Sequence, residues 1–260
     1  MSESAVFKVN ACVADHIGDR ADQQDRVAIL TSPRYPGSLL AILADGMGGR
    51  TGGRIASDQV IATAQSILEE APEAGATPVR LLERIAHEAH AVVKLNAIST
   101  EKEPHSTLVA LYLSRQSVHW IHAGDSRLYH FRNGKLLNRT VDHTYGTHLT
   151  ADGRIDRRHP AIQKLRNVLY SAIGIGNELR LGYGSVEDPQ VGDAFLLASD
   201  GMWAYFTDEE LGALLVRFQA REVAEKLVAA ARQRARGGGD NLSVAIVRLE
   251  AAEPGAPRTR

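Results

Sequence analysis

Apolar positions along this chain follow two periods, and the change from one to the other marks out the elements. Residues 6–14 (VFKVNACVA) and 26–31 read as strands on either side of the polar turn DHIGDRADQQD, which begins and ends on an acid. The run at 39–44 is apolar throughout, as a buried strand would be. Apolar residues then fall at Val60, Ile61, Ala64, Ile67, Leu68 and Ala71, one face of a helix that APEAGATP breaks. A second helix is expected over 79–98, with Leu82, Ile85, Ala86, Ala89 and Val93 on one side. From 106 to 132 the pattern becomes a meander of short strands with a turn near Arg115 and Gln116, and Asn133-Gly134 signals a hairpin. Residues 142–170 are polar and irregular, a surface segment that can lie over a site as a flap, with a short helix near 160–167. A strand at 193–199, a helix opening at Thr207 with Asp208 and Glu209 in its first turn, a helix near 221–235 and a closing strand complete the reading.

This order does not alternate as a doubly wound parallel fold would, so the expected class is α+β, antiparallel sheets packed together with helix layers outside. No long linker divides the chain, which predicts one domain over 1–250 and a disordered tail over 251–260, AAEPGAPRTR.

Composition narrows the functional classes. Among 260 residues, 44% are hydrophobic and 23% charged, and the formal net charge is -1, which argues against a disordered or nucleic-acid-coating chain. The lone cysteine, Cys12, leaves no intrachain disulfide or cysteine-clustered zinc site, and reads as a small apolar filler in the first strand. MSESAVFKVN has neither the basic start nor the apolar core of a signal peptide, and no apolar run reaches a membrane span, so a soluble cytoplasmic protein without membrane or nucleic-acid partners is expected.

The candidate chemistry lies where apolar runs meet acids. LLAILADGMGG stops at Asp45, FLLASDG at Asp200, and GGGDNLSVAIV begins at Asp240. An aspartate at a strand end presents its oxygens in a fixed place, and a neighbouring glycine lets an ion or phosphate approach the backbone. Several such acids brought together repel one another unless a cation lies among them, and an all-oxygen set suits magnesium or manganese. Asp25 and Asp125 are further candidates of the same type.

Other readings fail. GMGGRTGGRI lacks the Lys-Ser/Thr pair of a phosphate loop, and Thr51 stands where a dinucleotide fingerprint needs glycine. His87 and His90 lack the spacing of a zinc-protease helix and read as solvated helix-face residues. His119 and His122 fall on opposite faces of a regular strand, against joint ligation.

GDRADQQD (18–25), ADGMGG (44–49), STLVAL (106–111), GDSR (124–127), DHT (142–144), ASDGMW (198–203) and GGGDNLSV (237–244) follow in the order seen in the metal-dependent type 2C serine/threonine protein phosphatases, and the chain resembles that family over about residues 8–249. The resemblance implies a four-layer α-β-β-α sandwich of two antiparallel sheets flanked by helix pairs, with the site at one end. It implies that Asp45 bridges two manganese or magnesium ions, Asp200 and Asp240 complete the first, and the Gly46 carbonyl serves the second. Asp125 would help hold a weaker third ion, Arg20 would bind phosphate, and Asp25 and Asn241 would support the ligands. The implied reaction is hydrolysis of phosphoserine or phosphothreonine in proteins by hydroxide bridging the two ions, without a covalent phospho-enzyme. A monomer opposing a serine/threonine kinase is the expected setting.

Three positions depart from the pattern. Gln24 stands where many members have an acid. Met47 stands where eukaryotic members have a proton-donating histidine, which favours the bacterial branch. LYSAIG (169–174) replaces a more usual Leu-Thr-Arg-Ala-Leu-Gly. GDRADQQDR looks especially like bacterial members encoded beside a kinase, including those attached to type VI secretion. The competing reading is a catalytically weak or silent phosphoprotein-binding regulator of the same fold; a metal phosphodiesterase or nuclease would need a more basic surface.

Overall fold

The computed structural model describes residues 7–72, 75–100, 103–151, 153, 155, 156 and 158–252. In chain order these form β1 (Phe7–His16), β2 (Arg26–Leu30), β3 (Leu39–Ala44), β4 (Gly46–Met47), α1 (Gly49–Glu69), α2 (Pro78–Thr100), β5 (His105–Ser106), β6 (Leu108–Leu113), β7 (Val118–Ala123), β8 (Arg127–Arg132), β9 (Lys135–Arg139), α3 (Tyr145–Thr150), α4 (Pro160–Leu165), β10 (Gly182–Val186), β11 (Asp193–Ala198), α5 (Asp200–Trp203), α6 (Asp208–Arg217), α7 (Ala220–Ala235) and β12 (Leu242–Ala251). Two five-stranded sheets result, ordered β1-β12-β11-β8-β9 and β10-β7-β6-β3-β2, with β4 and β5 forming a small third pair. Every pairing in the two large sheets is antiparallel.

The continuous apolar runs have a simple cause: their strands bury both faces. In β3, Leu40, Ile42 and Ala44 pack against α1 and α2, while Ala41 and Leu43 face the opposite sheet. In β11, Ala194, Leu196 and Ala198 meet α5, α6 and α7, and Phe195 and Leu197 point between the sheets. Three apolar layers thus separate four layers of structure, helix pair, sheet, sheet, helices, as expected. Asn133 and Gly134, with φ 50 and 79, supply the left-handed pair that the β8–β9 hairpin requires.

Several local expectations need correction. The meander is not one sheet: β6 and β7 belong to one, β8 and β9 to the other. The chain crosses between them at Gly124, whose φ of 105 permits the turn. The 142–170 segment contains α3, capped by the Thr144 hydroxyl, as well as α4, and β10 carries two glycines in five residues, too weak a pattern to read as a strand. Helix α1 stops at Glu69, leaving Ala71 exposed. His90 is not solvated: it is 7% exposed and its Nδ1 accepts the Gly174 N–H at 3.1 Å. Ala251 still belongs to β12, and the rest of the expected tail from 253, like residue 6, lies outside the described residues.

The topology brings the ends of five strands to one edge of the sandwich. Strands β1, β3, β7 and β11 finish there and β12 begins there, so the connections following or preceding them carry Arg20, Asp45, Asp125, Asp200 and Asp240.

Candidate active site

Arg20, Gln24, Asp45, Gly46, Met47, Asp125, Asn167, Asp200, Asp240 and Asn241 line one cleft of about 460 Å³ at that edge. Every principal acid singled out in the sequence therefore shares a single cavity. Asp25 lies behind it, buried.

Burial and mutual repulsion raise the proton affinity of the acids in this cleft. Asp45 has its pKa raised well above the ordinary carboxylate range, first by withdrawal from water and then by the charges of Asp25, Asp200, Asp125 and Asp240. Asp125 is pushed up to about 7 by burial, with Asp200 and Asp142 adding repulsion. Asp25 is pushed up to about 6 by burial, against the opposing pull of Ser199 and Ser243. Asp200 is raised by burial and then by the charge of Asp240. Carboxylates so arranged either hold protons between them or need a cation.

The backbone around them is pinned. A Cβ on Gly46 would lie 2.2 Å from the Gly53 carbonyl oxygen and 2.6 Å from that of Gln24, so the chain passes too closely for any side chain. Asn241 joins the β1–β2 connection to the start of β12: its Nδ2 donates to the Ile17 and Asp22 carbonyls at 2.8 and 3.1 Å, and its Oδ1 accepts the Gln24 N–H at 2.8 Å. The Gln24 side chain turns to the Gly49 carbonyl at 3.0 Å. Arg20 stands at the mouth, 60% exposed, its Nη2 2.5 Å from Asp240 Oδ2. Asp19 beside it accepts the Gly239 N–H at 2.8 Å and pairs with Arg232 at 2.9 Å, tying the arginine's loop to the one bearing Asp240.

Among the described residues, no group of three or more His, Cys, Asp or Glu stands as a ready-made metal-ligand set. The acids line the cleft walls, and Asp240 spends one oxygen on Arg20. Sequence reasoning missed Thr107, Trp203 and Asn167. The first two lie inside quoted motifs without a chemical signal of their own, and Asn167 has none.

A family model described as protein phosphatase 2C matches residues 14–235. The chain belongs to the protein phosphatase 2C family. Asp240 and Asn241 lie beyond that match, immediately before Leu242, which pairs with His16 at the end of the β1–β12 ladder. The serine/threonine protein phosphatase PstP of Mycobacterium tuberculosis is 31% identical over 87% of this chain, which spans 42% of that protein's length. The structure of the catalytic domain of PstP in complex with two manganese ions superposes with a TM-score of 0.76, at 27% identity, over 94% of this chain and all of that one. PppA, a regulatory component of the type VI secretion system in Pseudomonas aeruginosa, superposes with a TM-score of 0.77, at 28% identity, over 95% of this chain and all of that one. These folds agree with the four-layer sandwich. No helix among the described residues is long and apolar enough to cross a membrane.

Proposed function

We propose that this chain is a single phosphatase domain that hydrolyses phosphoserine and phosphothreonine in proteins, dependent on manganese or magnesium and opposing a serine/threonine kinase. The observation that carries the reading is the convergence of Asp45, Asp125, Asp200 and Asp240 with Arg20 on one cleft. The site's chemistry fits divalent cations. The carboxylates raise one another's pKa values, Asp25 Oδ2 is buried without a hydrogen-bond partner, and the Gly46 backbone lies open to the cavity.

Asp45, Asp200, Asp240 and the Gly46 carbonyl would hold two ions, and Asp125 a weaker third. Bound ions would supply Lewis acidity, lowering the pKa of water and neutralising phosphoryl charge. The chain's own residues do the rest. Arg20, exposed at the mouth, offers a planar fork to two phosphoryl oxygens and orients the group. Asp25 and Asn241 support the ligand-bearing loops from behind and beside. Met47 cannot donate a proton, so water or another group would protonate the leaving oxygen. The names of the relatives support the phosphoprotein substrate, the manganese complex of PstP supports the metal, and the likeness to PppA supports the type VI branch of the kinase-linked expectation.

Hydrolysis of a phosphothreonine peptide is expected to vanish in chelator and return with manganese, and Asp45→Asn is expected to abolish turnover while circular dichroism stays unchanged. Turnover that persists in chelator overturns the proposal; manganese binding without turnover favours the silent binder.

A further inference from the structure

Trp203 stands where three parts of the site's surroundings meet. It ends α5, the single turn that opens on Asp200. Its indole N–H donates to the backbone carbonyl of Asp125 at 3.0 Å. The Arg127 guanidinium lies 3.3 Å from the centre of its ring. That guanidinium also makes a two-pronged pair with Asp142, both contacts at 2.8 Å. The residue after Asp142, His143, donates its N–H to the Gly124 carbonyl at 2.9 Å.

The loop carrying Asp125 needs such holding. It crosses from β7 in one sheet to β8 in the other, so no continuous ladder runs through it. Arg127 is opposite Ala198 in the β8–β11 register, and there the ladder stops. Asp125 and Asp200 both lie past that point. Their separation is set by what joins the loop to α5, and Trp203 makes that junction one helical turn after Asp200. A stacked, ion-paired arginine then fixes the indole ring itself.

We propose that Trp203 is a positioning residue: its indole N–H holds Asp125 in register with Asp200 and thereby sets the affinity of the weakest cation subsite, the one that Asp125 lines. This rests on the reading of the acid cleft as a divalent-metal site. Packing alone would make Trp203 a contributor to stability and nothing else, since its ring also covers the apolar layer under α5, α6 and α7. The indole nitrogen separates the two roles.

Trp203→Phe keeps an aromatic ring beneath Arg127 and removes the donor. Calorimetric titration of the full chain with manganese alone, without substrate, reads the result. The weakest binding step is expected to weaken roughly three- to ten-fold, the worth of one hydrogen bond. The tighter steps should not change. The melting temperature in chelator is expected to fall, since packing and a hydrogen bond are both lost, so the selective loss of the weakest step is the readout that separates positioning from packing. Asp125→Asn is expected to remove the same weak step, and adding Trp203→Phe to it should change nothing further. An isotherm of Trp203→Phe that superimposes on the parent, a uniform weakening of every step, or an effect that persists in the Asp125→Asn background overturns the inference, as does a parent isotherm with no weaker step. Parent protein that takes up no manganese defeats the metal-site reading and this inference together. Parent binding with an unaltered Trp203→Phe variant defeats this inference alone.

Discussion

Asp45 and Thr107 hold each other by two reciprocal hydrogen bonds: the Asp45 N–H donates to Thr107 Oγ1 at 3.0 Å, and the Thr107 N–H donates to the Asp45 carbonyl at 2.9 Å. The same Thr107 hydroxyl shares a 2.7 Å bond with Ser126, the neighbour of Asp125. One buried hydroxyl therefore joins two acid-bearing loops. Thr107→Val keeps the shape and removes that hydroxyl, leaving the Asp45 N–H unsatisfied at a cost of about 1–3 kcal/mol. A melting temperature lowered by several degrees and a kcat at least about tenfold lower are expected, with Thr107→Ser restoring both. Unchanged melting and kinetics in Thr107→Val would contradict this role.

Metal affinity should climb with pH. Asp45, Asp125 and Asp200 all carry raised pKa values from burial and mutual repulsion, so a cation must displace protons to bind them. Between the ordinary value of 3.8 and about 7, folded Asp125 binds more proton than the unfolded chain does, so its contribution to stability without metal falls as pH rises. Manganese held at these acids would reverse that loss. The rise in melting temperature on adding manganese is expected to be larger at pH 8 than at pH 6, and a pH-independent rise would count against the arrangement.

His143 should make the fold sensitive to acid. Burial, and secondly the neighbouring His122 ring with its centre 4.5 Å away, push its pKa down from 6.5 to about 4. The unfolded chain therefore binds more proton through that window, and stability present above pH 6.5 is lost as pH falls towards 4. The slope from this group is at most about 1.4 kcal/mol per pH unit. Denaturant titrations between pH 7 and 4.5 should show a shallower decline in His143→Gln than in the parent; equal slopes would place the loss elsewhere.

Arg20→Lys retains the charge at the mouth and loses the planar fork. The KM for a phosphothreonine peptide is expected to rise roughly tenfold with a smaller change in kcat, while manganese binding measured by calorimetry stays within about threefold. A change confined to kcat would assign Arg20 to the chemical step instead of to phosphate capture.

The acids were legible because each stands next to a strong local signal, an apolar run with a glycine or asparagine beside it. Asp45 and Asp200 could be placed at strand ends from a few residues of context. Thr107, Trp203 and Asn167 could not, because their importance lies in partners far along the chain: Thr107 in Asp45 and Ser126, Trp203 in the carbonyl of Asp125. His90 was misread for the same reason. Its place on an amphipathic helix gave no sign of the Gly174 N–H that meets it.

The order of the longer strands and helices, the continuous apolar runs of β3 and β11 and the hairpin at Asn133-Gly134 were in the amino-acid sequence, because periodicity and turn chemistry act over a few residues; the short β4, β5, α3, α5 and the glycine-bearing β10 were not. Which sheet each strand joined, the crossing at Gly124 that divides the meander, and the meeting of Asp45, Asp125, Asp200 and Asp240 in one cleft were decided in three dimensions. Pairing between distant strands fixes where their ends emerge, and mutual burial of the acids, which shifts their proton affinities, exists only once those ends are side by side.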